Sequence, residues 1–206
     1  MLATEDSSAR AVPTAPTRRL FFALWPDEAM RQAMERATGD AARVSGGRPV
    51  AAADLHATLA FLGAVPERRL PELVAVARKA AAVFAGAVAR PLELTFDRLE
   101  YWRSARVLCA LSREPPEWTV ALVRMLQELL IESGFAPKLK SPQSTAVNID
   151  SPFQPHVTVA RKVYRSPRAM GMQRVTWRGT DIVLVDSKTL PEGAIYAVLE
   201  RFVLEP

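Results

Sequence analysis

Leu55-His56-Ala57-Thr58-Leu59 and Pro155-His156-Val157-Thr158-Val159 decide how this chain is read. Both stretches follow one pattern: histidine, a small or aliphatic residue, threonine, an aliphatic residue. They lie 100 positions apart and contain the only two histidines among the 206 residues. Threonine occurs 12 times, about one position in seventeen. Both histidines would carry a threonine two positions on by accident in roughly 0.3% of shuffled chains, before the flanking aliphatics are required.

The spacing has a physical meaning. On a β-strand, residues i and i+2 point to one face. His56 and Thr58 therefore share a face, and Leu55, Ala57 and Leu59 share the other. His156 and Thr158 repeat this, with Val157 and Val159 opposite. With the apolar faces turned to the core, each strand offers an imidazole and a hydroxyl to a groove. Two such strands facing one another would surround one ligand group. A lone histidine beside a threonine is more often a satisfied structural pair; two copies, with no other histidine, favour chemistry.

That set suits a phosphodiester. An imidazole ordinarily titrates near pH 6.5 and serves as acid or base around neutrality. One histidine can take a proton from an attacking water while the other protonates the leaving oxygen. Threonine hydroxyls can donate to non-bridging phosphate oxygens. A metal is a poor reading, because no Cys or carboxylate lies at ligand spacing on either strand and Asp54 has no counterpart in the second copy. No metal and no cofactor are expected.

Working outward, RLFFALW (19–25) reads as a strand bounded by Pro26. Asp27 caps a helix to about Thr38, with Gly39 as its stop and Met30, Ala33, Met34 and Ala37 as its stripe. RVSGGRP (43–49) is a loop, and LHATLAFLG (55–63) a strand ended by Gly63. ERRLPELVAVARKAAAVFA (67–85) is a helix with Leu70, Leu73, Val74, Ala77, Ala80, Ala81 and Phe84 inward. PLELTFDRLEYW (91–102) and RVLCALS (106–112) read as two strands that complete a first β-α-β-α-β-β unit. A second unit starts with the helix PPEWTVALVRMLQELLIESG (115–134), with proline near its first turn and Gly134 at its end. Residues 137–155 form a long proline-bearing loop, of the kind that is usually functional or mobile. QPHVTVARKVY (154–164) is a strand, a loop follows around SPRAMGMQ (166–173), and VTWRG, DIVLVDSKTL and AIYAVLERFVL are the last three strands. The class is α+β.

Composition narrows the setting. Hydrophobic residues at 49% and charged residues at 24% are ordinary for a globular chain that needs no cross-links. The single cysteine, Cys109, excludes an internal disulfide framework and fits a reducing, cytoplasmic setting. No apolar run reaches the length of a membrane span. The first 17 residues, MLATEDSSARAVPTAPT, lack the apolar core of a secretory signal and read as a disordered tail, leaving 18–206 as one domain.

RLFFALWP, LHATLAFLG, PFQPHVTVAR and the late LVDSKTLPEGAIYAVL resemble the RNA 2′,3′-cyclic phosphodiesterases, also called 2′-5′ RNA ligases, of the 2H phosphoesterase superfamily. The resemblance covers about residues 18–204. It implies a bilobal α+β fold, two pseudo-symmetric lobes with antiparallel sheets flanking a central cleft, each lobe supplying one motif. It implies metal-independent opening of 2′,3′-cyclic phosphate at RNA ends or on nucleotides, giving a 2′-phosphate, with the reverse direction joining RNA ends without ATP. By resemblance His56 and His156 are the catalytic pair, His56 as acid to the leaving 3′-oxygen and His156 as base. Thr58 and Thr158 are the phosphate-binding hydroxyls, and Arg161, five residues after His156, sits in the pocket.

Phe61 stands five residues after His56, in the place equivalent to Arg161. Strict alternation puts both on the core side. A buried Arg161 is disfavoured, so the strand is expected to bend or end before it. By symmetry Phe61 then reaches the pocket to stack a base, or else it is core. Two other readings stay open: a non-catalytic RNA-binding module of the same fold, and a related enzyme acting on a small cyclic phosphate or an oligoadenylate. A monomer with no membrane partner is expected.

The net charge of +5 is concentrated. From Pro137 to Arg178 there are eight basic residues against Asp150, a net of +7 around His156, so the rest of the chain is slightly acidic. That stretch is a candidate RNA track.

Overall fold

The computed structural model describes residues 15–87, 92–137, 153–165, 171–191 and 193–204. The first elements are β1 (Thr17–Leu24), α1 (Glu28–Val44), β2 (Arg48–Pro49), β3 (Ala57–Pro66) and α2 (Leu70–Ala87). Next come β4 (Leu92–Phe96), β5 (Arg98–Trp102), β6 (Val107–Leu111) and α3 (Glu117–Glu132). The chain continues through β7 (His156–Arg161), β8 (Val175–Gly179), β9 (Asp181–Leu190) and β10 (Gly193–Val203). Eight strands make one sheet in the order β10-β9-β1-β3-β7-β6-β5, with β2 also on β7, while β4 and β8 pair separately. All these pairings are antiparallel, so the α+β class holds.

The two motif strands do not face one another across a gap. They are neighbours at the centre of the sheet, joined through a single pair, Ala57 with Val157. The sheet is thus two wings, β10-β9-β1-β3 and β7-β6-β5, that meet at the histidine motifs. The wings are not contiguous in sequence, contrary to the expected division into consecutive units. β9, from the end of the chain, pairs with β1, while β5 and β6, from the first half, extend from β7. Antiparallel register and a matching apolar face decide which strands pair, and helical connections let the chain satisfy them out of order.

One break explains how the exchange begins. PLELTFDRLEYW is two strands, split at Asp97. Before it, Leu92, Leu94 and Phe96 alternate into the core on β4, which pairs with β8. After it, β5 turns to β6.

Helix α1 starts as expected: the Asp27 carboxylate accepts from the Met30 N–H at 2.8 Å. It does not stop at Gly39 but runs to Val44. Thr38, Ala41 and Ala42 are buried, and that packing offsets the roughly 1 kcal/mol that a mid-helix glycine costs against alanine. The chain reverses instead at Gly46, which has φ +66 and lies under the Tyr164 ring, where any Cβ would collide. The stretch expected as a loop after α1 contains β2, which pairs Arg48 with Arg161.

β3 passes through Gly63 rather than ending there. Thr17, expected in the N-terminal tail, belongs to β1, and the Pro16 carbonyl accepts from the Glu67 N–H at 2.9 Å. Residues 1–14, most of the expected 137–155 loop and residues 166–170 lie outside the described residues.

The main core packs helix stripes on one face of the sheet: Met30 and Met34 of α1, Leu73, Ala77, Ala80 and Phe84 of α2, and Leu122, Leu126 and Leu130 of α3. Leu20, Phe22, Leu59, Val157 and Leu108 meet them from the strands. The other face carries two small clusters, Phe21, Ala23, Val183 and Val185 on one wing and Trp102, Val107, Cys109 and Leu111 on the other. The motifs lie between these clusters.

Candidate active site

Both motif strands carry the same defect. Along β3 the partner of Phe22 is Ala60 and that of Ala23 is Thr58, so Leu59 is an extra residue. Along β7 the partner of Leu108 is Ala160 and that of Cys109 is Thr158, so Val159 is extra. Each bulge stands three residues after its histidine. A β-bulge adds one residue to one strand and shifts the alternation beyond it. Thr58 and Phe61 therefore share the site face, as do Thr158 and Arg161, while Leu59, Ala60, Val159 and Ala160 turn to the core. The bend expected before Arg161 is this bulge, and it occurs twice.

A bulge takes a carbonyl out of the ladder, and a buried carbonyl needs a donor. Gln127 of α3, itself buried, donates Nε2–H to the Leu59 carbonyl at 3.2 Å. The Val50 N–H donates to the Val159 carbonyl at 2.9 Å.

The histidines are held alike. His56 donates Nδ1–H to the Asp54 carbonyl at 2.7 Å, and His156 donates Nδ1–H to the Gln154 carbonyl at 3.0 Å. A carbonyl can only accept, so Nδ1 carries the proton in both rings and Nε2 is left as the nitrogen that can gain or lose one. The antiparallel register through Ala57 and Val157 sets His56 against Thr158 and Thr58 against His156. Each imidazole thus neighbours the hydroxyl of the other motif. Cys109 lies beneath, its Sγ 3.8 Å from the Thr158 hydroxyl.

Aromatic walls fix both rings. Trp25 stacks on His56 at 5.4 Å between centroids and 5° between planes. Phe21 and Tyr196 complete that wall, each at 5.0 Å. Trp102 packs against His156 at 4.5 Å, and His156 is buried. The sequence reading missed all three of Trp25, Trp102 and Tyr196. Trp25 ends the aromatic-rich strand RLFFALW and could have been flagged there. The other two arrive from β5 and β10, which only the strand exchange brings alongside.

Arg161 and Phe61 both reach the site face, but in different settings. Arg161 Nη2 donates to the Tyr196 hydroxyl at 3.3 Å, linking the two wings beside His56. Phe61 packs on the Phe21 cluster, with the Arg19 guanidinium 4.6 Å over its ring. Between Asp54, Arg48, Arg161 and Tyr196 lies a cavity of about 270 Å³, with Gly193 in its wall. Burial raises the Asp54 pKa above the usual 3.8, and the Arg161 charge partly counters this.

The basic stretch is not one surface among the described residues. Arg161 faces the site, whereas Arg178 is on the separate β4–β8 pair and bonds Glu93 at 3.1 Å. Lys138, Lys140 and Arg168 lie outside the described residues. No group of three His, Cys, Asp or Glu side chains among the described residues could hold a metal ion. Nor is any described helix long and apolar enough to cross a membrane.

An antiparallel sheet with helices behind it and two histidine–threonine motifs on its central strands is the arrangement of a 2H phosphoesterase. The profile of the 2′-5′ RNA ligase superfamily matches residues 25–189, and the chain belongs to that superfamily. It is 30% identical over 190 residues to the RNA 2′,3′-cyclic phosphodiesterase of Thermus thermophilus, covering 90% of each chain. It is 35% identical over 147 residues to that of Escherichia coli, covering 70% of this chain and 72% of that one. The crystal structure of E. coli LigT complexed with 3′-AMP superposes with a TM-score of 0.67 at 27% identity, over 93% of this chain and 100% of that one.

Proposed function

We propose that this protein hydrolyses 2′,3′-cyclic phosphates of RNA ends or nucleotides to 2′-phosphates by acid–base catalysis between its two histidines. His156 Nε2 takes a proton from water, whose oxygen attacks phosphorus. The bond from phosphorus to the 3′-oxygen breaks, and His56 delivers the proton that oxygen needs. Thr58 and Thr158 hold the non-bridging oxygens. With an RNA 5′-hydroxyl in place of water the same roles give a 2′-5′ linkage and a 3′-hydroxyl, and cleavage of that linkage back to the cyclic phosphate runs with the histidines' roles exchanged. The observation that carries the reading is the matched pair of Nδ1–H to carbonyl bonds, which hold the two imidazoles alike on neighbouring strands at the centre of the sheet. The names of the Thermus and E. coli relatives support the substrate class.

Arg161 and Phe61 serve on this reading as substrate-binding side chains, Arg161 toward phosphate or base and Phe61 toward a base. The protein works as a cytoplasmic monomer, a single domain from about residue 18; the one cysteine, Cys109, is buried and unbridged, as suits a reducing compartment.

End-group analysis of an RNA bearing a 2′,3′-cyclic phosphate tests the reaction. A 2′-phosphate product, formed equally with a chelator present, is expected. A 3′-phosphate product, or activity lost with the chelator, refutes the mechanism. Tight RNA binding with no turnover between about pH 5 and 8 would favour the binding-module reading, and turnover confined to small cyclic phosphates or oligoadenylates the third.

A further inference from the structure

The cavity beside His56 is walled by groups of opposite hydrogen-bonding sense. The Asp54 carboxylate only accepts when ionised, and the Arg48 and Arg161 guanidiniums only donate. No ion pair joins Asp54 to either arginine, although Arg161 is near enough to influence its charge. Its volume, about 270 Å³, lies just under the roughly 300 Å³ at which drug-sized pockets begin. It suits one base, not a stretch of strand. The position is built into the fold. β2 sets Arg48 opposite Arg161, and the Arg48 guanidinium runs against Gly193, whose φ of +146 and lack of a side chain admit it. Asp54 stands two residues before His56 and its carbonyl orients that ring, while Tyr196 touches both His56 and Arg161.

We propose that this cavity is a nucleobase subsite selective for guanine. Guanine alone among the four bases presents two neighbouring donors, N1–H and the 2-amino group, on one edge and two neighbouring acceptors, O6 and N7, on another. A carboxylate matches the first edge bidentately and a guanidinium the second. Adenine offers a single donor group and would leave a carboxylate oxygen unmatched, and uracil presents acceptors on both sides of its one donor. Burial of an unmatched polar group is what makes such a site reject the wrong base. The inference rests on the proposed phosphodiesterase reading, in which the nucleoside carrying the cyclic phosphate lies beside His56.

The test has two arms. Turnover is measured for the 2′,3′-cyclic phosphates of guanosine, adenosine, cytidine and uridine, and calorimetry measures binding of the four nucleoside 2′-monophosphates. Guanosine is expected to lead the others about tenfold in kcat/KM and in affinity, in line with roughly 1–3 kcal/mol for a bidentate base contact. In Asp54→Asn the guanosine-to-uridine ratio should fall to within about twofold of unity, through KM and not kcat. Equal binding of the four nucleotides overturns the inference, as does an Asp54→Asn ratio equal to that of the unsubstituted protein. Affinity that rises with an added 5′-phosphate irrespective of base also overturns it, since the arginines would then hold an anion. Guanosine-selective binding with no turnover keeps the subsite and overturns the proposed activity.

Discussion

His56 and His156 each commit Nδ1 to a backbone carbonyl two residues upstream, so two substitutions test one design. His56→Ala and His156→Ala should each lower kcat by about 10²- to 10⁴-fold, the usual contribution of one acid or base, with an unchanged far-UV circular dichroism spectrum. Full activity in either variant would remove that histidine from the mechanism. Asp54 gives a separate readout. Its native pKa lies above 3.8, so the native state holds its proton more tightly than the unfolded chain. Its contribution to stability is complete below pH 3.8 and is lost as pH rises through the native value. Denaturant titrations of Asp54→Asn should show a smaller loss of stability across that acidic window than the unsubstituted protein. An identical slope would mean that burial of Asp54 carries no such linkage.

At the scale of the element, the two bulges matter most. They make Thr58 share a face with Phe61, and Thr158 with Arg161, against strict alternation. Gln127 was legible only as a polar residue interrupting the apolar stripe of α3 between Leu126 and Leu130; its role as donor to the Leu59 carbonyl needed the packed helix. Gln127→Leu leaves that carbonyl buried without its donor. A stability loss of about 1–3 kcal/mol is expected by thermal or denaturant melting, with a fall in kcat as the bulge relaxes. Unchanged melting would show that the bulge does not depend on this bond. Elsewhere the elements were readable where one period ran cleanly, as in α2, α3 and β8 to β10. They were misread where tertiary contacts overruled a local signal. Gly39 stayed helical because the turn after it is buried, and Asp97 split a strand whose halves found different partners.

For the whole molecule, charge and topology both look different once folded. The basic stretch from 137 to 178 divides, with Arg161 at the site and Arg178 paired away from it. Cleavage of a longer RNA should still weaken with added salt more steeply than cleavage of a cyclic mononucleotide, because each neutralised phosphate releases counterions. Parallel salt slopes for the two substrates would mean that the stretch does not track RNA.

The sequence by itself determined the fold class and singled out the two histidine–threonine motifs. Two identical motifs at strand spacing and the hydrophobic periods of the elements around them are local patterns that need no partner to be read. Only the tertiary structure decided that the motif strands are neighbours, that their wings trade strands, and that Trp25, Trp102, Tyr196 and Asp54 gather around the histidines. Those are outcomes of pairing register and close packing between segments up to about the whole chain apart. No local stretch carries them, because the free energy that selects them belongs to contacts made only once the sheet has closed.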